Sequence, residues 1–88
     1  MTFRILISET ARKYLEDLSS GDRERIIQRL RVLEEQPHRR RSGADIKQLV
    51  GTSPPKYRLR IGPFRAVYSI VEQEVRIIDI FRRGRGYR

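Results

Sequence analysis

The clearest pattern of apolar and polar positions lies in the second half of the chain, where three runs alternate with a period of two. Such alternation is typical of strands with one buried face. It predicts strands at about 56–61, 64–71 and 74–81, joined by tight turns at Gly62-Pro63 and Glu72-Gln73. Glycine followed by proline fits a type II′ turn, in which only the first residue needs a positive φ. We therefore expect an antiparallel meander.

The first half of the chain has one alternating run, followed by two segments of helical periodicity. Residues 2–7 alternate Phe, Ile and Ile and predict a first strand. Ser8 can cap a helix over about 9–18, and Asp22 can cap a second helix that runs to about Glu35, with a Ser-Ser-Gly break between them. The short break favours a helical hairpin. The apolar stripes expected in the core are Ala11, Tyr14, Leu15, Leu18, Ile26, Ile27, Leu30 and Leu33.

The order of these elements is β-α-α-β-β-β, which predicts an α+β fold. An N-terminal strand and a helical hairpin precede the three-stranded antiparallel meander, with both helices on one face of a small twisted sheet. The first strand is expected to pair with a later one, because an isolated hairpin is marginally stable. Residues 37–45 form a basic loop, either a solvated connector or a contact with a nucleic acid backbone. The whole chain, 1–88, is one domain.

The predicted turn brings two arginines together. It pairs Ile61 with Phe64, so Arg60 stands directly across from Arg65, with Arg58 on the same face of the sheet. Like charges in opposed positions repel one another. A sequence that specifies this pair therefore predicts an anion at the site, and phosphate is the obvious one.

The charge of the chain agrees with this interpretation. It has 20 basic and 11 acidic residues, a net charge of +9, and most of the basic residues are arginine. Guanidinium groups present a planar fork of donors that suits phosphate oxygens. Such a surface favours RNA, DNA or an acidic protein as partner, and an anionic membrane less, because the basic residues lie mainly on strands and loops.

Composition also excludes several kinds of site and location. The chain has no cysteine, which excludes disulfides, thiolate metal sites and cysteine nucleophiles. Its single histidine, His38, cannot form a metal site alone and is expected to be an exposed loop residue. No apolar run approaches the roughly 18 residues that span a bilayer, and no signal-peptide pattern opens the chain. A cytoplasmic protein without membrane association is therefore expected.

Three short motifs carry a family resemblance over nearly the whole chain. They are the Lys-Gln-Leu-Val-Gly segment at Lys47–Gly51, the Gly-x-Phe-Arg-x-x-Tyr hairpin at Gly62–Tyr68, and an ending with Arg83 and Tyr87. Together with the order of the elements, they resemble the RelE superfamily of toxins from bacterial and archaeal toxin–antitoxin modules. The resemblance implies a RelE-like fold of the microbial ribonuclease type.

The resemblance also implies an activity. RelE-type toxins are endoribonucleases that need no metal or other cofactor, enter the ribosomal A site and cut the mRNA there, which inhibits translation. The cut follows attack of a ribose 2′-oxygen on the adjacent phosphate. The implied partners are the ribosome, mRNA and a cognate acidic, RelB-like antitoxin. The protein would be a monomer alone and a hetero-oligomer with the antitoxin.

Site residues follow from the same resemblance together with the arginine pattern. Arg65 resembles the family's hairpin arginine, Arg83 its C-terminal arginine, and Tyr87 its C-terminal tyrosine, a general base or a stacking platform. The residues expected to carry catalysis are Arg60, Arg65, Arg83 and Tyr87. Those expected to bind RNA are Arg58, Lys47, Lys56, Arg82, Arg85 and Arg88.

Two other functions stay open, because Arg58 and Arg60 stand where well-studied members of the family have lysines. Arginine is a poor proton donor, so the general acid is unassigned, with Lys47 and Lys56 nearby in sequence. One alternative is a ParE-like inhibitor of DNA gyrase. The other is a non-catalytic basic module that binds RNA or an antitoxin.

Overall fold

The computed structural model of the protein describes residues 2–84. Within them the chain forms five strands and two α-helices, the second of which continues into one turn of 3-10 helix. The elements, in chain order, are β1 (Arg4–Ile7), α1 (Glu9–Glu16), α2 (Ser20–Leu30), the 3-10 turn (Arg31–Glu34), β2 (Ile46–Gln48), β3 (Lys56–Ile61), β4 (Phe64–Val71) and β5 (Glu74–Arg82).

The strands make one five-stranded sheet in the order β1-β5-β4-β3-β2. β1 is parallel to β5, and every other neighbouring pair is antiparallel. The predicted α+β fold, the meander and the pairing of the first strand with a later one are confirmed. The predicted hairpin register is also confirmed, with Ile61 paired to Phe64 and Arg60 to Arg65. Gly62 has a φ of 54°, the positive value that its place in the turn requires.

The sheet has one strand more than predicted. β2 runs only from Ile46 to Gln48 and pairs antiparallel with β3. Ile46 is its one buried side chain, so the segment shows no alternation that a sequence pattern could reveal. Hydrogen bonds to β3 stabilise it instead. Its presence places Asp45 and Lys47 beside the open face of β3.

The predicted start of the second helix is wrong. Ser19, not Asp22, is the N-cap, and its hydroxyl accepts a hydrogen bond of 3.3 Å from the Asp22 backbone N–H. Ser20 and Gly21 therefore lie inside the first turn, because the Ser19 hydroxyl satisfies a free N–H of that turn. The cap predicted for α1 is confirmed, since the Ser8 hydroxyl accepts from the Ala11 N–H at 3.1 Å.

Both helices cover one face of the sheet and enclose the core with it. The buried cluster consists of Ala11, Leu15, Ile26, Leu30, Leu33, Ala44, Ile46, Leu59, Ile61, Phe64, Ala66, Tyr68, Val75, Ile77 and Ile80. One predicted core residue is misplaced: Ile27 is 42% exposed. Ile26 and Leu30 already face the sheet, and the helical turn between adjacent residues carries Ile27 to the flank.

The basic loop at 37–45 is anchored to the body of the protein. The Arg41 guanidinium donates to four backbone carbonyls, and the buried Tyr68 hydroxyl donates to the Pro37 carbonyl. Arg41 thus satisfies carbonyls at the end of the second helical segment. His38 is exposed, as predicted. No helix within the described residues is both long and apolar enough to cross a membrane.

Candidate nucleic-acid interface

The sheet face that the helices leave open carries the predicted arginines. Arg58 and Arg60 lie on this side of β3, and Arg65 lies on the same side of β4, directly across from Arg60. Arg83 follows β5, and its backbone N–H donates to the Pro63 carbonyl at 2.6 Å. We call these four residues the arginine face: Arg58, Arg60, Arg65 and Arg83.

The charges of the arginine face act on one another. The pKa of Arg65 is lowered first by partial burial of its guanidinium and then by the positive charges of Arg60, Arg58 and Arg83, in that order. The Asp45 carboxylate acts in the opposite direction. Arg65 also donates to the carbonyls of Gly62 at 3.0 Å and Phe64 at 2.9 Å, which holds it at the turn. Four residues from three segments therefore share one electrostatic environment.

Asp45 brings a carboxylate to this basic surface. Its Oδ1 lies 3.4 Å from Arg58 Nη2 and 3.9 Å from Arg40 Nε. The Arg58 Nε–H is buried and has no hydrogen-bond acceptor among residues 2–84. The ion pair with Asp45 thus leaves one buried hydrogen-bond donor of Arg58 unsatisfied.

A groove runs beside Arg58 and Arg65. Its volume is about 380 Å³, and most of its lining is apolar. Val67 forms a fully buried part of the wall, whereas Val50 is 96% exposed. The complete lining is Leu49, Val50, Thr52, Arg58, Arg65, Val67 and Phe81. The groove can take a planar apolar group next to an anion held by the arginines.

The two predicted lysines lie on the open side of the sheet. Lys47 pairs with Arg58 across the β2–β3 ladder, and Lys56 precedes Arg58 by two residues, which places it on the same face. The structure therefore brings both lysines to the arginine face. Arg82, which the sequence also predicted to bind RNA, lies apart from the arginine face: its guanidinium carbon sits 4.9 Å from the centre of the Phe64 ring, on the helix side of the sheet.

Three of the predicted residues, Arg85, Tyr87 and Arg88, lie outside the described residues. Among residues 2–84, no group of three or more His, Cys, Asp or Glu side chains could hold a metal ion.

Sequence reasoning missed Asp45 and the groove. Asp45 sits at the end of a basic loop, and its position became visible only with β2, whose single buried residue is Ile46. The groove combines residues from four separate segments: the loop after β2, β3, β4 and β5. The pattern that could have predicted β2 is a single apolar residue, Ile46, flanked by polar residues, which is compatible with a short edge strand.

Comparisons with known proteins agree with this architecture. The sequence profile of the ParE toxin of type II toxin–antitoxin systems (parDE) matches residues 5–87. A comparison with curated protein sequences gave no match.

Solved structures show the same fold. A chain of the archaeal RelE–RelB complex from Pyrococcus horikoshii OT3 is 30% identical, with a TM-score of 0.79, and the match covers 98% of this chain and 100% of that one. The isolated RelE toxin of E. coli is 25% identical, with a TM-score of 0.73 and coverage of 96% and 87%. A chain of the RelB–RelE complex from Methanococcus jannaschii is 20% identical, with a TM-score of 0.68 and coverage of 89% of each chain, a likeness of fold alone.

Proposed function

We propose that this chain, which belongs to the ParE toxin family of type II toxin–antitoxin systems and is 30% identical to a chain of an archaeal RelE–RelB complex, cuts messenger RNA on the ribosome and thereby inhibits translation. The observation that carries the proposal is the arginine face. Arg60 and Arg65 oppose each other on an open sheet surface, with Arg58 and Arg83 near enough to influence Arg65. Such a concentration of guanidinium groups fits a phosphate of the RNA backbone.

The proposed chemistry is attack of a ribose 2′-oxygen on the neighbouring phosphate, with no metal or other cofactor. Negative charge on the phosphorus oxygens grows as the bond forms, and Arg60 and Arg65 are placed to stabilise it. Removing one such preorganised donor typically costs about 3–4 kcal/mol, or roughly 10²–10³ in rate. Arg58, Lys47 and Lys56 would hold the flanking backbone, and the apolar groove would receive a base by stacking.

A cognate antitoxin is the proposed protein partner, in keeping with the RelB–RelE complexes among the similar structures. An acidic amphipathic segment would suit a chain of net charge +9. Apolar side chains are exposed where β1 meets α2, with Ile7 at 40% and Ile27 at 42%. These two residues line a groove of about 160 Å³ that can receive apolar side chains of such a segment. We expect a monomer alone and a hetero-oligomer with the antitoxin, located in the cytoplasm with the ribosomes.

A second candidate function is inhibition of DNA gyrase. Two observations favour it: the matching family profile is that of ParE toxins, and positions 58 and 60 carry arginines, which do not exchange protons near neutral pH. In that case the arginine face would hold DNA or an acidic surface without cutting a strand.

Primer extension on ribosomes programmed with a defined mRNA tests the first function. We expect cuts in the A-site codon with the wild-type protein and almost none with Arg65→Gln. Arg25→Gln removes one positive charge from the exposed side of α2 and should cut normally. Intact mRNA, together with gyrase-linked DNA breaks in a parallel assay, would reject RNA cleavage in favour of gyrase inhibition.

A further inference from the structure

Asp45 stands at the end of a row of charged residues that crosses three strands. Its backbone carbonyl accepts the Arg60 N–H at 3.0 Å, and the pairing of Ile46 with Leu59 places Asp45 directly across from Arg60. Arg60 in turn stands across from Arg65. Neighbouring strands are separated by about 4.8 Å, so Asp45 lies one strand spacing from Arg60 and two from Arg65.

The Asp45 carboxylate is partly exposed to solvent and is held in place by two arginines. Its Oδ1 contacts Arg58 at 3.4 Å and Arg40 at 3.9 Å, and 36% of the side chain is exposed. Its charge also acts on Arg65, whose pKa it raises against the effect of the surrounding cations. The carboxylate is therefore close to the proposed phosphate site but not enclosed.

RNA cleavage of the proposed kind needs a group that takes the proton of the 2′-hydroxyl. Arginines 58 and 60 cannot do this, because guanidinium groups stay protonated in proteins. A positioned carboxylate can. Among the described residues, Asp45 is the carboxylate in contact with the arginine face.

We propose that Asp45 is a catalytic residue, the general base that deprotonates the attacking 2′-hydroxyl; this inference rests on the proposed function. A carboxylate oxygen of Asp45 takes the proton while the 2′-oxygen electron pair forms a bond to phosphorus. The bond from phosphorus to the 5′-oxygen then breaks. The products are a 2′,3′-cyclic phosphate and a 5′-hydroxyl, whose proton comes from solvent water, and protonated Asp45 returns its proton to solvent.

The competing interpretation is that Asp45 only orients Arg58 through their ion pair. The two roles predict different effects of an Asp45 substitution on RNA binding and on the rate of cleavage. An orienting residue affects the binding of any RNA strand, including one that cannot react, whereas a general base affects only the reaction. Tyr87, a base or a stacking platform in the resemblance, would then take the stacking role.

Single-turnover cleavage on programmed ribosomes tests the proposal with Asp45→Asn. We expect the rate to fall by about 10²–10⁴-fold, while binding of an mRNA with a 2′-deoxyribose at the cleavage position stays within about twofold. Asp45→Glu should restore part of the rate, because it returns a carboxylate on a longer arm. Glu16→Gln makes the same change of charge on the exposed side of α1 and should cut at the wild-type rate.

A second substrate distinguishes a general base from a general acid at position 45. An mRNA with a 5′-thio leaving group needs no proton on that group, so it should rescue the loss of a general acid and leave the Asp45→Asn defect in place. Rescue by this substrate, a normal rate for Asp45→Asn, or equal losses of rate and of deoxy-mRNA binding would each overturn the assignment. Absence of cleavage by the wild-type protein is a different result, because it rejects the proposed function itself.

Discussion

Arg60 and Arg65 stand directly across from each other on β3 and β4, although both carry a positive charge. Elsewhere the same sheet pairs opposite charges: Arg4 stands across from Glu74 and donates to it at 2.7 Å. Opposed like charges destabilise a sheet, whereas opposed unlike charges stabilise it. Two like-charged pairs, Arg60 with Arg65 and Lys47 with Arg58, thus lie on the open face of the sheet, and binding an anion there would relieve their repulsion.

Arg65→Gln should separate function from stability. We expect cleavage to fall by about 10²–10³-fold, because a donor to the phosphate oxygens is lost. The free energy of unfolding should change by less than about 1 kcal/mol, since the substitution removes repulsion as well as two hydrogen bonds at the turn. Single-turnover cleavage and urea denaturation measure the two effects. Undiminished cleavage by this variant would remove Arg65 from the site.

The salt dependence of RNA binding should report which arginines contact phosphate. For a single strand, each phosphate contact contributes about −0.7 to the slope of log K against log salt concentration. Arg60→Gln should make the slope shallower by about that amount. Arg82→Gln is the matched control, because Arg82 lies over Phe64 on the helix side, and its slope should stay at the wild-type value. Equal changes in both variants would mean that RNA does not distinguish the two faces.

Two adjacent isoleucines of α2 should differ sharply in their contribution to stability. Ile26 is fully buried, whereas Ile27 is 42% exposed. Ile26→Ala should lower the free energy of unfolding by about 2–5 kcal/mol. Ile27→Ala should lower it by less than about 1 kcal/mol and weaken antitoxin binding instead. Urea denaturation and calorimetric titration measure the two effects, and similar stability losses would contradict the placement of Ile27.

Stability should fall at high pH because of Tyr68. Burial of its phenol, and to a smaller degree the nearby Tyr57, raise its pKa above the ordinary tyrosine value, while Arg41 opposes the shift. The unfolded chain therefore loses this proton first, above about pH 10, and the native state is stabilised less as the pH rises further.

Tyr68→Phe removes this dependence. At pH 7 the variant should be less stable by about 1–3 kcal/mol, because the Pro37 carbonyl loses its donor. Above about pH 10 the gap between the two proteins should narrow, by up to about 1.4 kcal/mol per pH unit. Urea denaturation at a series of pH values measures the gap. A gap that stays constant up to about pH 11 would contradict a raised pKa.

The local sequence pattern was sufficient to predict the β3–β4 hairpin and the position of its arginines. A two-residue turn at Gly62-Pro63 leaves only one register for β3 and β4, so the positions of Arg60 and Arg65 relative to each other follow from neighbouring residues alone. The cap of α1 is equally local, since Ser8 and Ala11 are three residues apart. Where every contact lies within a few residues, spacing and turn chemistry determine the result.

Other features of the protein depend on contacts between distant segments. β2 exists because Ile46 and its neighbours bond to β3, and this pairing carries Asp45 to Arg60, 15 positions later in the chain. Likewise, Ile27 is exposed because the sheet is already covered by its neighbours on α2. The sequence alone determined which residues alternate and where the chain turns. The contact between a carboxylate and the arginine face required strand pairing across the sheet, because local periodicity does not encode which distant segments pair.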